Sequence, residues 1–288
     1  MTRALKGSLA AMAASVLALS LPAPTVAVEG SIQIKGSDTM VNLCQAWAEA
    51  FMAAHPKVVV AVTGGGSGTG IAALINGTAE IAASSRAMTK KERDLAQQQG
   101  AAPKEWTAAL DGLAVVVHPD NLVRRLTLQQ LAQIFTGQIQ NWRELGGETL
   151  PIVLLSREVN SGTHVYFKEH VLGGAPGTPA EFAPEALLLP SSQAIADEAA
   201  SNTAAIGYYG MGYITKANGV VAVAKTEAGP YVEPTEDAVR SGAYPISRPL
   251  FLYTRGDLGG TIKTFLDFVL SLDGQRIVRA VDFVPVAP

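Results

Sequence analysis

Residues 58–86 read VVVAVTGGGSGTGIAALINGTAEIAASSR, and this stretch decides the fold. Val58–Val62 is a continuous β-branched strand, and Gly64 to Gly70 form a turn of small residues. Ile71–Ile75 is helical, Asn76-Gly77 is a second turn, and Ala79–Ala83 is a second strand. Strand, turn, helix and strand in immediate succession is the unit from which α/β sheets are built. The alternation continues upstream. Ser31–Lys35 is a strand broken at Gly36, and Val41, Cys44, Trp47, Ala48, Phe51 and Met52 recur at helical spacing from Thr39 to Ala54. His55-Pro56 stops that helix.

Downstream, Leu113–Val117 is a buried strand ended by Pro119, and Thr127 caps a short helix running to Phe135. Pro151–Leu155 is a strand, and Ser161 opens a helix that runs to Leu172 and closes at Gly173. Ser191 caps a helix over Gln193–Ala200, followed by a strand at Ala204–Tyr208. Leu250–Thr254 is a strand and Ile262–Leu270 a helix. Strands alternating with helices predict a mainly parallel α/β sheet covered on both faces, and the length suits two such lobes better than one large sheet. The Ala-, Gly- and Pro-rich segment around Gly173–Pro190 reads as a surface connection.

Composition narrows the function. The chain has 288 residues, a formal net charge of −3, 48% apolar residues and only 16% charged ones. Low hydrophobicity with high net charge, the signature of disorder, is absent. A pI near 5.8 without basic blocks argues against a nucleic-acid partner, because neutralising phosphates needs clustered Lys and Arg. One cysteine, Cys44, excludes a disulfide scaffold and reads as a small buried hydrophobe. At the start, Arg3 and Lys6 precede an apolar run from Leu9 to Leu21, broken by Pro22 and Pro24 and followed by the small residues Thr25-Val26-Ala27. That run suits a signal-peptide core and is short for a membrane anchor, the alternative. Cleavage after Ala27 would make residues 1–27 a leader and the product periplasmic.

One arrangement occurs three times. Ile32–Lys35 leads into Gly36-Ser37-Asp38-Thr39, Val58–Val62 into Gly65-Gly66-Ser67-Gly68-Thr69-Gly70, and Ile152–Leu155 into Ser156-Arg157-Glu158-Val159-Asn160-Ser161-Gly162-Thr163. A helix follows each turn. Free N–H groups at a helix start, glycines that admit an oxyanion, and hydroxyl donors together suit an anion. Singly, each turn is also what ordinary N-capping produces. Arg157 is the candidate charge partner, the alternative being an ion pair with Glu158 or another acid; Arg86, after Ser84-Ser85, is a second candidate. Asp38 is expected both to cap the following helix and to act as an acceptor within the site, the alternative being a cap alone.

Competing motifs fail. Gly64–Gly70 has Thr69 or Ile71 where G-x-G-x-x-G needs its last glycine, and Ile71-Ala72 where a P-loop needs Lys and Ser/Thr. Ser67 is followed by Thr69 rather than the closing glycine of a nucleophile elbow. His55, His118, His164 and His170 have no metal-ligand spacing, so no metal or other cofactor is expected. Trp47, Phe51, Phe135 and Trp142 read as packing residues.

At these residues the chain resembles the periplasmic phosphate-binding proteins of ABC-type phosphate importers, within the type II periplasmic binding protein superfamily. The resemblance rests on GSDTM at 36–40, GGGSGTGIAALINGTAEIAASSR at 64–86 and LTLQQLAQIFTGQIQNW at 126–142. It continues through SREVNSGT at 156–163, AIGYYGMGY at 205–213 and YPISRPLFLYT at 244–254. It implies a two-lobed clamshell, each lobe a sheet flanked by helices, hinged by crossover strands at Leu110–Val117 and Tyr244–Tyr253. Lobe 1 would be 28–112 plus 247–288, and lobe 2 would be 113–246. It also implies phosphate contacts from Ser37, Thr39, Ser67, Gly68, Ser85, Arg86, Arg157, Ser161, Gly162 and Thr163. Two departures stand out: some members carry an aspartate near Ser85 that accepts the phosphate proton, and Asn160 replaces the first glycine of the usual arginine loop.

The resulting expectation is a monomeric, non-catalytic receptor that passes inorganic phosphate to importer permease subunits in the inner membrane. The alternatives are a secreted phosphate-ester hydrolase using Ser67 or Ser161, and a receptor for sulfate, molybdate or tungstate. With Ser85 a weak discriminator, Asp38 is the nearest carboxylate that could read the phosphate proton.

Overall fold

The computed structural model of the protein describes residues 28–173, 181–256 and 259–286. The expected leader at 1–27 and the middle of the connection around Gly173–Pro190 lie outside the described residues.

In chain order, β1 (Gly30–Gly36) passes through a 3-10 turn (Asp38–Met40) into α1 (Val41–Ala54). β2 (Val58–Thr63), α2 (Ser67–Ile75), β3 (Ile81–Ser84) and α3 (Lys90–Gln98) follow, then the long β4 (Pro103–Val117). Next come β5 (Arg125–Thr127), α4 (Leu128–Phe135), β6 (Val153–Arg157) and α5 (Gly162–Phe167), which continues as a π-helical turn to Leu172. β7 (Leu187–Leu189), α6 (Ser192–Ser201), β8 (Ala205–Gly210) and β9 (Gly219–Ala224) complete that region. α7 (Glu236–Arg240), β10 (Ser247–Arg255), α8 (Gly260–Leu270) and α9 (Leu272–Ala280) end the described chain.

The strands run β2-β1-β3-β10-β4-β8-β6-β7, with β9 beside β4 and β5. β1 pairs parallel with β2 and β3, and β6 pairs parallel with β7 and β8. β10 is antiparallel to β3 and β4, and β4 is antiparallel to β8 and β9. The expectation of a mainly parallel sheet is therefore corrected to a mixed one. The chain leaves one lobe along β4 and returns along β10, and two strands crossing in opposite senses must pair antiparallel. The same strands are longer than expected: β4 begins at Pro103, ten residues before the apolar run that announced it. Its outer part, Pro103–Gly112, pairs with β10, and its inner part, Leu113–Val117, pairs with β8 and β9.

The result is the two-lobed α/β fold, with helices packed on a curled sheet. Leu113–Val117 are wholly buried, as their β-branched run demands. Trp47 and Trp142 anchor opposite sides of the core, their indole N–H groups donating to Gly274 O and Ala204 O. Cys44 lies in the same core, where burial pushes its thiol up to about 12, so it is packing and not chemistry. Several elements escape the sequence reading. α3 is one, although Thr89 and Glu92 form a reciprocal capping box at its start.

Close approach of α2 to β1 positions the glycine-rich turn. A Cβ on Gly70 would lie 2.5 Å from Gly36 Cα and would collide with the Lys35 carbonyl. Helix propensity alone favours Gly70→Ala by about 1 kcal/mol. The collision involves backbone that cannot swing aside, so overpacking dominates and the variant should be less stable by about 2 kcal/mol. Urea denaturation checks this, and an unchanged or raised midpoint would contradict the packing described.

Candidate functional site

The turns singled out by sequence end at one place between the lobes. β1 delivers Ser37 and Thr39, β2 delivers Gly66 and Ser67, and β3 delivers Ser84, Ser85 and Arg86. From the other lobe, β6 and α5 deliver Arg157, Ser161, Gly162 and Thr163. Thr39 Oγ1 and Thr163 Oγ1 are 2.8 Å apart, although 124 residues separate them in sequence. Ser67 Oγ accepts the Ser85 N–H at 3.0 Å and lies 3.4 Å from Ser85 Oγ. A Cβ on Gly162 would stand 2.7 Å from Ser85 Oγ and collide with Ser67 Oγ, so Gly162 lies flat against both serines. Ser37, Thr39, Ser67, Ser85, Ser161 and Thr163 are all buried.

The turns owe their shape to small residues. Gly65 and Gly66 adopt φ of +109° and +90°, which L side chains rarely tolerate, and at Gly66 a Cβ would also stand 2.7 Å from the Asn160 carbonyl oxygen. Ser161 is the true cap of α5: its hydroxyl oxygen accepts the Thr163 and His164 N–H groups at 3.2 and 3.5 Å. That leaves the Ser161 proton to donate elsewhere.

Four charges meet around this cluster. Arg157 is completely buried, and its Nη2 donates to Asp38 Oδ2 of the opposite lobe at 3.0 Å. Its remaining contacts are with its own lobe: Nη2 to Pro190 O, Nη1 to Ser192 Oγ and Nε to Leu189 O. Burial lowers the Arg157 pKa, and the Asp38 charge opposes that shift. Asp38 Oδ1 also accepts the Gly65 N–H at 2.9 Å. Asp38 is therefore not a helix cap, because α1 starts at Val41 with no side-chain cap; the carboxylate instead ties two turns of its own lobe to the arginine of the other. Glu158, the acid adjacent in sequence, is not the partner of Arg157.

Asn160, which departs from the usual glycine, is a second inter-lobe contact. Its carbonyl accepts the Gly68 N–H at 3.0 Å, and its Nδ2 donates to Gly65 O and Thr69 Oγ1 at 2.8 and 3.3 Å. Arg86 is beside the cluster, its Nη2 3.7 Å from where a Gly68 Cβ would be. Its guanidinium, however, makes a bidentate pair with Glu92 at 2.8 and 2.7 Å and donates to Ala87 O. That engagement also holds the Glu92 carboxyl below its usual range against the opposing effect of burial.

The other two charges were not legible as site residues. Arg248 on β10 and Asp111 on β4 form a buried ion pair at 2.8 Å, and Arg248 also donates to Ser85 O and Thr163 Oγ1. The sequence signal was present in SRPLFLYT, an arginine entering an apolar strand. Only the register, which sets Arg248 opposite Asp111, makes it meaningful. Arg157 and Arg248 against Asp38 and Asp111 balance in formal charge, leaving oriented hydroxyls and helix-start N–H groups as the donors of the cluster.

Beneath Arg157, Ser156 Oγ lies 2.7 Å from Tyr208 Oη and 3.2 Å from His164 Nδ1, and the His164 ring tilts over Phe182. Burial lowers the His164 pKa from its ordinary 6.5. Among the described residues, no His, Cys, Asp and Glu group could hold a metal ion. Among the described residues, neither Ser67 nor Ser161 hydrogen-bonds an imidazole ring or a carboxylate.

Comparison with known proteins gives this geometry a context. A model of the PBP superfamily domain matches residues 22–273. The phosphate-binding protein PstS of Pseudomonas aeruginosa is 33% identical over 297 residues, spanning 97% of this chain and 90% of that protein. The Bacillus subtilis protein of the same name is 36% identical over 258 residues, spanning 89% and 81%. A crystal structure from Clostridium perfringens, described as a putative phosphate ABC transporter substrate-binding protein with bound phosphate, superposes with a TM-score of 0.81 at 34% identity. It covers 89% of this chain and 100% of that one.

A neutral, buried His164 gives stability a pH dependence of defined sign. With the folded pKa below 6.5, the unfolded chain binds the proton more readily, so stability falls as pH drops below 6.5 and continues to fall until the folded pKa is passed. Thermal melts at pH 7.5 and pH 5.5 should show a lower Tm in acid, and His164→Gln should flatten part of that difference. An identical acid loss in the variant would assign it to other groups.

Proposed function

This chain belongs to the PBP superfamily, and we propose that it is a receptor that binds inorganic phosphate between its two lobes and hands it to an ABC importer. The observation that carries this reading is the convergence of buried Ser and Thr hydroxyls from both lobes on one spot, with Thr39 and Thr163 in direct contact. Such a convergence binds a small tetrahedral oxyanion better than any extended ligand. The related Clostridium perfringens structure, which contains phosphate, supports the choice of anion.

The proposed donors are Ser37, Thr39, Ser67, Ser85, Ser161 and Thr163, with Gly162 allowing the backbone to approach. Gly68 and Arg86 border the site: the Gly68 N–H is engaged by Asn160 O and the Arg86 terminal nitrogens by Glu92 and Ala87 O, while the buried Arg86 Nε has no partner among the described residues. Arg157 is engaged by Asp38 and by acceptors of its own lobe, so its part is to tie the two lobes together beside the hydroxyls. Micromolar affinity needs about −8 kcal/mol, and hydrogen bonds to a charged group contribute roughly 1.5–3 kcal/mol each before costs. Because Thr39 and Thr163 bond each other, the six hydroxyls offer at most five protons, which still suffices.

The lobes are proposed to divide at 112/113 and 246/247, where β4 changes partner from β10 to β8 and β9. Lobe 1 is then 28–112 with 247–288, and lobe 2 is 113–246. Residues 1–27 are proposed as a cleaved leader and the working form as a periplasmic monomer that meets permease subunits at the inner membrane. The function is capture and release, not turnover: the serines lack the base that a nucleophile requires. Titration calorimetry with phosphate, sulfate, molybdate and tungstate tests the reading. Phosphate should bind in the micromolar range or tighter and the others far more weakly, and a preference for another anion would overturn it.

Asp38 explains how phosphate is preferred. At neutral pH phosphate carries a proton and sulfate does not, so a carboxylate at the site attracts the one and repels the other. Asp38 is the acid held at this place, by Gly65 N–H and Arg157. Asp38→Asn should weaken phosphate binding by at least about tenfold and relax the exclusion of sulfate in competition titrations. Undiminished exclusion of sulfate would assign the discriminating acceptor elsewhere.

A further inference from the structure

The strand pair between the lobes holds a guanidinium that the donor set above leaves out. Arg248 and Asp111 face each other across β10 and β4 and are 2% and 0% exposed. Arg248 Nε and Nη2 donate to Asp111 Oδ2 at 3.0 and 2.8 Å, while Asp111 Oδ1 accepts the Met211 N–H at 2.9 Å. A pair serving only to join two strands needs nothing more. Arg248 nevertheless reaches both lobes: Nη1 donates to the Ser85 carbonyl at 3.1 Å, and Nη2 donates to Thr163 Oγ1 at 3.0 Å. Its outer face is closed by the Tyr166 ring, 5.5 Å away.

The bond to Thr163 restricts what that hydroxyl can do. A hydroxyl has one proton and two lone pairs, and an arginine can only donate, so one lone pair of Thr163 is committed. The field of a buried cation turns hydroxyl oxygens toward it and their protons away. Thr163 then donates to Thr39 Oγ1 at 2.8 Å, and the Thr39 proton is left pointing outward. In the reverse arrangement Thr39 donates and the Thr163 proton is the one left. In both cases the pair presents one donor, strengthened by its link to a charge.

We propose that Arg248 is a positioning residue for the anion, aiming the free proton of the Thr163–Thr39 pair at bound phosphate from a fixed point on the hinge. This rests on the phosphate-receptor reading and assigns to it a residue that does not touch the ligand. Asp111 has a supporting role: it holds the guanidinium in register and compensates its charge, so that the attraction reaches the ligand through hydroxyls rather than as a bare cation. Because Thr163 belongs to one lobe while Ser85 and Thr39 belong to the other, the alignment is complete only when the lobes are together.

Removing Arg248 alone leaves a buried, unpaired carboxylate, which threatens folding. The test therefore replaces the pair with apolar residues, Arg248→Met with Asp111→Leu, and uses Arg248→Lys as a second variant. The lysine keeps the charge beside Asp111 but has no fork to serve Asp111, Ser85 and Thr163 together. Titration calorimetry with inorganic phosphate should show the double variant about tenfold weaker than wild type and the lysine variant about threefold weaker. In a Thr163→Val background, either change should alter affinity by less than about twofold, because its route to the ligand is gone. Wild-type affinity in the folded lysine variant would overturn the proposal. So would losses of equal size with and without the Thr163 hydroxyl, which would make the pair merely structural. Absence of phosphate binding by wild type would instead overturn the receptor reading itself.

Discussion

A fully buried arginine of one lobe is neutralised by a carboxylate of the other, and the rest of the site depends on that contact. Arg157 has no access to water, and an unpaired charge in such surroundings costs several kcal/mol. Three of its acceptors, Leu189 O, Pro190 O and Ser192 Oγ, come from its own lobe and are neutral. Asp38 supplies the opposing charge from across the cleft. The same carboxylate accepts the Gly65 N–H, so it fixes the β2–α2 turn relative to β1. Asn160 adds neutral bonds to Gly65 and Thr69 from the other side. These contacts across the cleft are polar, in contrast to the apolar core beneath them.

Formal neutrality has a functional consequence. If the cleft relied on surplus positive charge it would attract any anion, and discrimination would have to come from size alone. With two arginines balanced by two aspartates, the proposed recognition falls to hydroxyls and helix-start N–H groups, whose directions are set by their neighbours. Directional donors in a nearly dry site reward a ligand whose acceptors coincide with them and penalise one that leaves them unpaired.

The hinge strands carry more than the connection. β4 changes partners partway along its length, so one continuous strand belongs to both lobes. Ion pairing of Asp111 with Arg248 puts a polar element inside this strand pair, where apolar residues would pack as well. The extra contacts to Ser85 and Thr163 explain its place there better than stability does.

Local patterns in the sequence determined the alternation of strands and helices, the capping of α4 and α6 by Thr127 and Ser191, and the three small-residue turns, because each depends on residues within a few positions of one another. Other features could not be read locally. The antiparallel crossing of β4 and β10 joins segments more than a hundred residues apart, and the polar outer half of β4 has no apolar run to reveal it. Asp38 illustrates the limit. Its position after a strand and before a helix makes it look like a cap, and only the approach of the second lobe turns its carboxylate toward Arg157. Arg86 shows the same in reverse, since its companion Glu92 lies on α3, a helix whose polar sequence concealed it. Sequence by itself determined which residue types line the cleft. The tertiary structure decided which of them face one another, because long-range register and lobe contact are set by packing between distant segments and leave no periodic trace in the chain.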